Sequence, residues 1–210
     1  MNLKVRDRTE KELEVRKYEF LKICKILDEL NVRYFLQTGI LLGAVRDNSL
    51  IKWDWDIEIS VFAEEFIGQI DDVASLLRDS GFNINNVRKV RDDSKIDFFG
   101  SLPSDVTGYT IFSWNYSKIR DVYWRREFSI PSKFLNSFST IEFFGKKFNC
   151  PNTPKEYLKF AYGNWETPIR TSDKNEYNSK EFKSKKLSFL RDLKDQLKKL
   201  VFLILKVIKK

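Results

Sequence analysis

No histidine occurs anywhere in the 210-residue chain. That excludes Ser-His-Asp and Cys-His nucleophilic mechanisms, most zinc sites and the commonest general base. Any catalysis must rest on carboxylates, lysine, arginine, tyrosine or a hard cation. Cysteine is scarce as well. Cys24 and Cys150 are the only two, without metal-ligand spacing and in apolar surroundings. They are expected to be reduced and structural, as in a cytoplasmic protein. Long apolar runs are missing: no stretch reaches the roughly 18 uninterrupted apolar residues of a spanning helix. The charged opening "MNLKVRDRTEKELEVRK" predicts no secretory signal. Most of the chain also lacks a charge imbalance. The net charge is +8, but residues 183–210 hold ten Lys/Arg against two Asp/Glu, leaving 28 of each sign elsewhere. An extended nucleic-acid backbone needs a basic face, so no nucleic-acid partner is expected for the main part.

What remains is the composition of a folded protein, 15% aromatic and 32% charged, with enough chain for one good-sized core. Residues 10–30 carry Leu13, Phe20, Cys24, Leu27 and Leu30 at helical spacing. "VRYFL" (32–36) reads as a strand, "ILLGAV" as a short helix opening after Gly39, "RDNS" as a turn and "IKWDWDIEIS" as a second strand. Residues 64–79 return to helical period and close on Gly81. From about 82 to 148 strands and turns dominate, ending in "TIEFFGKKF", where Gly145 marks a hairpin. Thr153-Pro154-Lys155-Glu156 predicts a capping box with proline at N1, starting a helix that stops at Gly163.

Side chains alternate along a strand, so Asp54, Asp56 and Glu58 are expected on one face, with Trp53, Trp55, Ile57 and Ile59 on the other, in the core. Carboxylates about 6.6 Å apart can bracket one or two hard cations. The alternative is a solvated acidic face, against which aspartate's poor strand propensity speaks. Asp97 in "KIDFFG" stands alone in an apolar strand, where an unpaired carboxylate is costly. A neighbouring strand would make it a third metal ligand or a general base; otherwise it pairs with Lys95 or an arginine. Thr38-Gly39 ends a strand and opens a helix, a point where backbone N–H groups can cradle phosphate. Gly43 lets that helix lie close to the sheet, for the cradle or for packing alone. Arg46 either balances phosphate charge or is a surface residue. Together these parts suit Mg²⁺-assisted transfer from a nucleotide donor, with a carboxylate to take a proton.

The stretch "TGILLGAVRDNSLIKWDWDIE" resembles the LicD/fukutin-related family of the nucleotidyltransferase-fold superfamily, whose pattern is Gly, Leu-Leu-Gly-Ala-Val-Arg, a short loop, then Trp-Asp-x-Asp-(Ile/Val)-(Asp/Glu). A second stretch, "IEFFGKKFNCPNTPKEYLKFAYGNWETP" (141–168), resembles the family's Phe-x-Gly…Pro…Tyr-Leu…Tyr-Gly…Trp…Pro ending, and "KIDFF" fits the place of its further aspartate. The resemblance runs from about residue 10 to 168. It implies transfer of a phosphorylated alcohol, such as phosphocholine or a polyol phosphate, from a CDP-linked donor to a glycan or lipid-linked saccharide. It makes Asp54 and Asp56 ligands of Mg²⁺ or Mn²⁺, with Glu58 either a further ligand or part of the rim. It places Gly39, Gly43 and Arg46, beside Thr38, in the donor phosphate region, and makes Asp97 the third acid. Tyr162, Gly163 and Trp165 read first as a helix C-cap with a packed aromatic; the resemblance adds a border to the pocket.

The expected architecture is α+β: a nucleotidyltransferase-like mixed sheet flanked by helices, with a C-terminal amphipathic helix. Residues 1–170 form the catalytic domain, 171–186 a polar linker and 187–210 a basic helix. In that helix Leu193, Leu197, Leu200, Ile204 and Ile208 share a face, suited to an anionic membrane surface or to protein contact, including a second copy. The expected location is cytoplasmic, free or peripheral on the inner face of the membrane, and the expected setting is cell-surface glycan synthesis. Two other readings stay open: a nucleotidyltransferase that adenylylates a small molecule, and a catalytically inactive or nucleic-acid-binding module.

Overall fold

The computed structural model describes residues 6–103, 107–171 and 173–182, together with 193, 194, 196–201 and 204. The first amphipathic segment is helix α1, Glu10–Glu29. It opens on a complete capping box, in which Thr9 accepts from the Glu12 N–H and the Glu12 carboxylate accepts from the Thr9 N–H. Then come β1 (Tyr34–Phe35), α2 (Thr38–Arg46), β2 (Asp56–Phe62) and α3 (Ala63–Asp79). Gly81, at φ +89°, turns the chain out of α3. Five strands follow: β3 (Asn83–Arg88), β4 (Lys95–Phe99), β5 (Gly108–Ser117), β6 (Val122–Arg125) and β7 (Phe128–Pro131). A separate hairpin joins β8 (Phe138–Phe143) to β9 (Lys146–Pro151) through Phe144 and Gly145, both at positive φ. Helices α4 (Pro154–Tyr162) and α5 (Lys174–Tyr177) complete the described elements.

The seven-stranded sheet has the order β1-β2-β5-β4-β3, with β6 and β7 continuing from β5. β2 and β5 run parallel and the other neighbours antiparallel. Register sorts its two faces. Ile57, Ile59, Ile96, Phe98, Tyr109 and Ile111 share one face, and are buried in one core with Phe20, Ile23 and Leu27 of α1 and Phe66, Ile70, Val73 and Leu77 of α3. Each such fully buried side chain contributes roughly 1.5–3 kcal/mol. The opposite face presents Asp56 and Glu58 from β2, Phe112 and Trp114 from β5, and Asp97 from β4. This is the expected mixed sheet flanked by helices.

Two local expectations fail. Thr153 does precede a proline at N1 of α4, but it takes a left-handed conformation (φ 50°, ψ 65°). Its hydroxyl donates to the Asn152 carbonyl at 2.7 Å, and it accepts no hydrogen bond from the helix. The second strand begins at Asp56, five residues later than "IKWDWDIEIS" suggests. Within the stretch 171–186, expected to be a polar linker, Phe182 is buried, with its ring against Trp114, Phe128 and Phe160. One aromatic anchor outweighs the polar residues around it. Most of the expected basic helix 187–210 lies outside the described residues. Within it Leu193, Leu197, Leu200, Val201 and Ile204 are exposed. Among the described residues no helix is long and apolar enough to cross a membrane.

Candidate active site

Over the acidic face of the sheet lies a cleft of about 410 Å³, walled by the start of α2, the turn before β2, strands β5 and β6, and the chain from Tyr162 to Phe182. Asp54, Asp56 and Glu58 all line it. Asp54 reaches it from a turn, since its N–H donates to the Ile51 carbonyl at 3.1 Å. The cause of the late strand start is Arg16, which sits on the buried face of α1 and is 1% exposed. Its Nη1 donates to the Asp54 carbonyl at 2.8 Å and its Nη2 to the Asp56 carbonyl at 3.1 Å. A guanidinium thus satisfies carbonyls that strand pairing would otherwise use. The tryptophans are not core. Trp55 is 40% exposed, and the Trp53 ring has the guanidiniums of Arg46 (5.9 Å) and Arg170 (6.0 Å) close to it; both tryptophans line the cleft.

At the start of α2, Thr38 takes φ 53° and Gly39 follows. A Cβ at Gly39 would run into Asp54 Oδ2. The glycine therefore lets the Asp54 carboxyl stand directly against the helix N-terminus. A buried polar chain fixes this junction: Gln37 Nε2 donates to the Tyr157 hydroxyl (2.5 Å), Ser60 Oγ to Gln37 Oε1 (2.6 Å) and Trp114 Nε1 to Ser60 Oγ (3.3 Å). Thr38, Gly39 and Arg46 line the cleft, but Gly43 does not. A Cβ there would meet the Ser49 carbonyl oxygen and Ile51, so Gly43 is a packing glycine. Arg46 is held by Asp47 through Nε (2.8 Å) and Nη2 (2.7 Å).

Burial pushes the Asp54 carboxyl above its usual pKa; Arg16 pulls it down, Glu58 pushes it up again, and a hydrogen bond with Asp56 lowers it. Two carboxyls sharing a hydrogen bond beside a third acid are short of positive charge, and their hard oxygens suit a divalent cation such as Mg²⁺ or Mn²⁺. Among the described residues no group of three or more histidine, cysteine, aspartate or glutamate side chains is gathered to hold a metal ion. The fitting donors are the pair Asp54 and Asp56.

Asp97 is not brought beside that pair. It shares the sheet face, but β5 intervenes: Thr110 is the register partner of both Glu58 and Asp97. Asp97 is bound by Lys95 (2.5 Å), Asn86 (3.1 Å) and Thr110 (3.1 Å) and is outside the cleft lining. Burial opposes its ionisation, yet these hydrogen bonds outweigh burial and hold its pKa below the usual value. The paired structural reading is the one the geometry carries.

Several cleft residues escape a reading by motif. Arg125 stacks on Phe112 (4.4 Å) and is anchored by Asp93 at 2.7 Å, which Arg88 also holds at 2.8 Å. Only the β5–β6–β7 register brings it to the cleft, so no local signal exists. Arg16 was legible, because it falls three residues after Leu13 and four before Phe20 on an apolar stripe. Tyr162 and Trp165 border the cleft, while Gly163 (φ 68°) caps α4.

The family model described as LicD/FKTN/FKRP, nucleotidyltransferase domain, matches residues 31–153. The chain is 24% identical to the human ribitol 5-phosphate transferase FKRP over 148 residues, which are 67% of this chain and 30% of that protein. It is 26% identical to the human ribitol-5-phosphate transferase FKTN over 163 residues, 74% of this chain and 34% of that protein. The chain thus spans about a third of the length of these relatives. Among solved structures, the antibiotic-resistance factor ANT(2'')-Ia is similar in fold, with a TM-score of 0.51 at 14% identity, covering 78% of this chain and 80% of that one.

Proposed function

The chain belongs to the LicD/FKTN/FKRP nucleotidyltransferase-domain family, and on that premise we propose that it transfers a polyol phosphate, of the ribitol 5-phosphate kind, from a CDP-linked donor to a glycan hydroxyl. The observation that carries this reading is the meeting of Asp54 with Gly39, which sets an acid pair against a helix N-terminus inside a cleft lined by arginines. Phosphate binding favours such a terminus. Asp54 and Asp56 would hold Mg²⁺ or Mn²⁺, whose charge would offset that of the donor's phosphates. Arg16 fixes the backbone that carries both acids. In the transfer, the acceptor oxygen bonds to the phosphorus bearing the polyol, and the anhydride P–O bond breaks. CMP leaves with that electron pair.

Glu58 takes the hydroxyl proton in this scheme. It lines the cleft, and among the described residues no ion pair or hydrogen bond engages its carboxylate. Trp55 and Trp165 offer apolar faces for the sugar or polyol. The setting we propose is decoration of a cell-surface polysaccharide or lipid-linked glycan. The test supplies the purified chain with CDP-ribitol, Mg²⁺ and a panel of glycan acceptors and follows CMP release. Asp54→Asn or Asp56→Asn is expected to lower the rate by about 10³-fold, on the order expected for losing electrostatic stabilisation of the transition state. Unchanged CMP release in both variants would overturn the assignment.

A further inference from the structure

Arg8 lies in the extended segment just ahead of α1, outside the residues matched by the family model. It is 6% exposed and lines the cleft. Four arginines line that cleft, and the other three each have an acid: Arg6 with Glu12, Arg46 with Asp47, Arg125 with Asp93. Arg8 has none among the described residues. Its Nε is buried without an acceptor, and its one side-chain hydrogen bond runs from Nη1 to the Arg6 carbonyl at a long 3.3 Å. Its surroundings include the cations Arg16 and Arg6, with Glu12 and Asp54 as the nearby acids. A buried guanidinium with no acid directly paired to it is costly. A fold that nevertheless holds one, with its backbone pinned by the Arg8 N–H to the Lys52 carbonyl at 2.7 Å, keeps it for an anion that comes and goes.

We propose that Arg8 is a phosphate-binding residue of the cleft, its guanidinium receiving oxygens of a substrate phosphate. The site rests on the transferase reading above for the identity of that substrate, but the phosphate chemistry stands by itself. Guanidinium and phosphate match in a planar, two-bond geometry, which makes arginine the side chain suited to the task. The phosphate belongs either to the donor's diphosphate or to a phosphorylated acceptor. The N-terminal segment thereby becomes part of the active site rather than a lead-in to α1.

The experiment titrates CDP with Mg²⁺, and then inorganic phosphate at saturating CDP, into the full chain and into Arg8→Gln and Arg8→Lys, by calorimetry. Thermal denaturation of each protein without ligand accompanies it. For a donor site, Arg8→Gln weakens CDP by about 10-fold or more, the scale of a charge-assisted pair, and Arg8→Lys recovers part of it. For an acceptor site, CDP affinity is unmoved and phosphate binding at saturating CDP is lost. In both cases unliganded Arg8→Gln melts no lower than wild type, because a structural role would show as a lower Tm. Equal binding of CDP and of phosphate by wild type and Arg8→Gln overturns the proposal and leaves the transferase reading standing. A wild type that binds phosphate through Arg8 but never CDP overturns the transferase reading and keeps the phosphate site. Binding of neither ligand by wild type overturns both.

Discussion

Replacing Gly39 by alanine puts a methyl group where Asp54 Oδ2 now lies. Gly39 is not at positive φ, so the backbone accepts alanine, and a helical alanine is worth about 1 kcal/mol over glycine. Against that stands an overpacking cost of about 1–3 kcal/mol. The lower end applies, because the obstructing atom is the tip of one side chain beside an open cleft, free to rotate away. The two effects nearly cancel, and at roughly 2–4 °C per kcal/mol for a chain of this size Tm stays within about 3 °C of wild type. Activity does not escape on the proposed mechanism, in which an Asp54 carboxyl moved by an ångström costs on the order of 10²-fold in rate. Gly43→Ala is the internal contrast. Its methyl group meets the Ser49 backbone carbonyl, which cannot rotate away, so the upper end of the overpacking cost applies and exceeds the same helical gain, leaving a net loss of about 2 kcal/mol and several degrees of Tm. The assay pairs CMP release from CDP-ribitol with thermal denaturation for both variants. A Gly39→Ala protein with the wild-type rate, or with a Tm as low as that of Gly43→Ala, refutes the reasoning.

Arg16→Met leaves the Asp54 and Asp56 carbonyls without their donor and is expected to destabilise by about 2–4 kcal/mol, read as a lower Tm with partial recovery in Arg16→Lys. The Arg6 hydrogen bonds, with help from Thr9, hold Glu12 down to about 2 from an ordinary 4.5. Its contribution is therefore complete above about pH 4.5 and is lost as pH falls through about 2. Glu12→Gln should flatten the stability curve across that window, and an unaltered acid limb in denaturant titrations would count against the pairing. Phe182→Ala removes the anchor that closes the cleft's C-terminal wall; it should cost about 3 kcal/mol and raise the donor KM more than it lowers kcat.

How much could be read from the chain depends on how local each cause is. The α1 stripe, the α3 stop at Gly81 and the Gly145 hairpin are set by neighbours in sequence and stand where their residues point, whereas α2 opens at Thr38, two residues before the expected start after Gly39. The acid pair was legible too: two-residue spacing points both carboxyls to one side of an extended chain, and the turn that carries Asp54 instead still delivers it to the cleft beside Asp56. The strand boundary was not, since it depends on Arg16 reaching across some forty residues to the Asp54 and Asp56 carbonyls. Asp97 misled for the same reason: "KIDFF" places it on the right sheet face, but only the strand order reveals β5 between it and Glu58. Arg125 and Arg8 carried no motif, and each is made notable by its surroundings in the cleft. The polar run 171–182 hid Phe182, a single residue whose burial decides the path of the segment.

The most direct test follows the two halves of the donor. With CDP-ribitol, Mg²⁺ and an accepted glycan, mass spectrometry of the products should find ribitol phosphate joined to the glycan and free CMP, both absent with Asp56→Asn. CMP joined to the glycan with ribitol phosphate released would mean nucleotidyl transfer at the same acid pair, and would contradict the account.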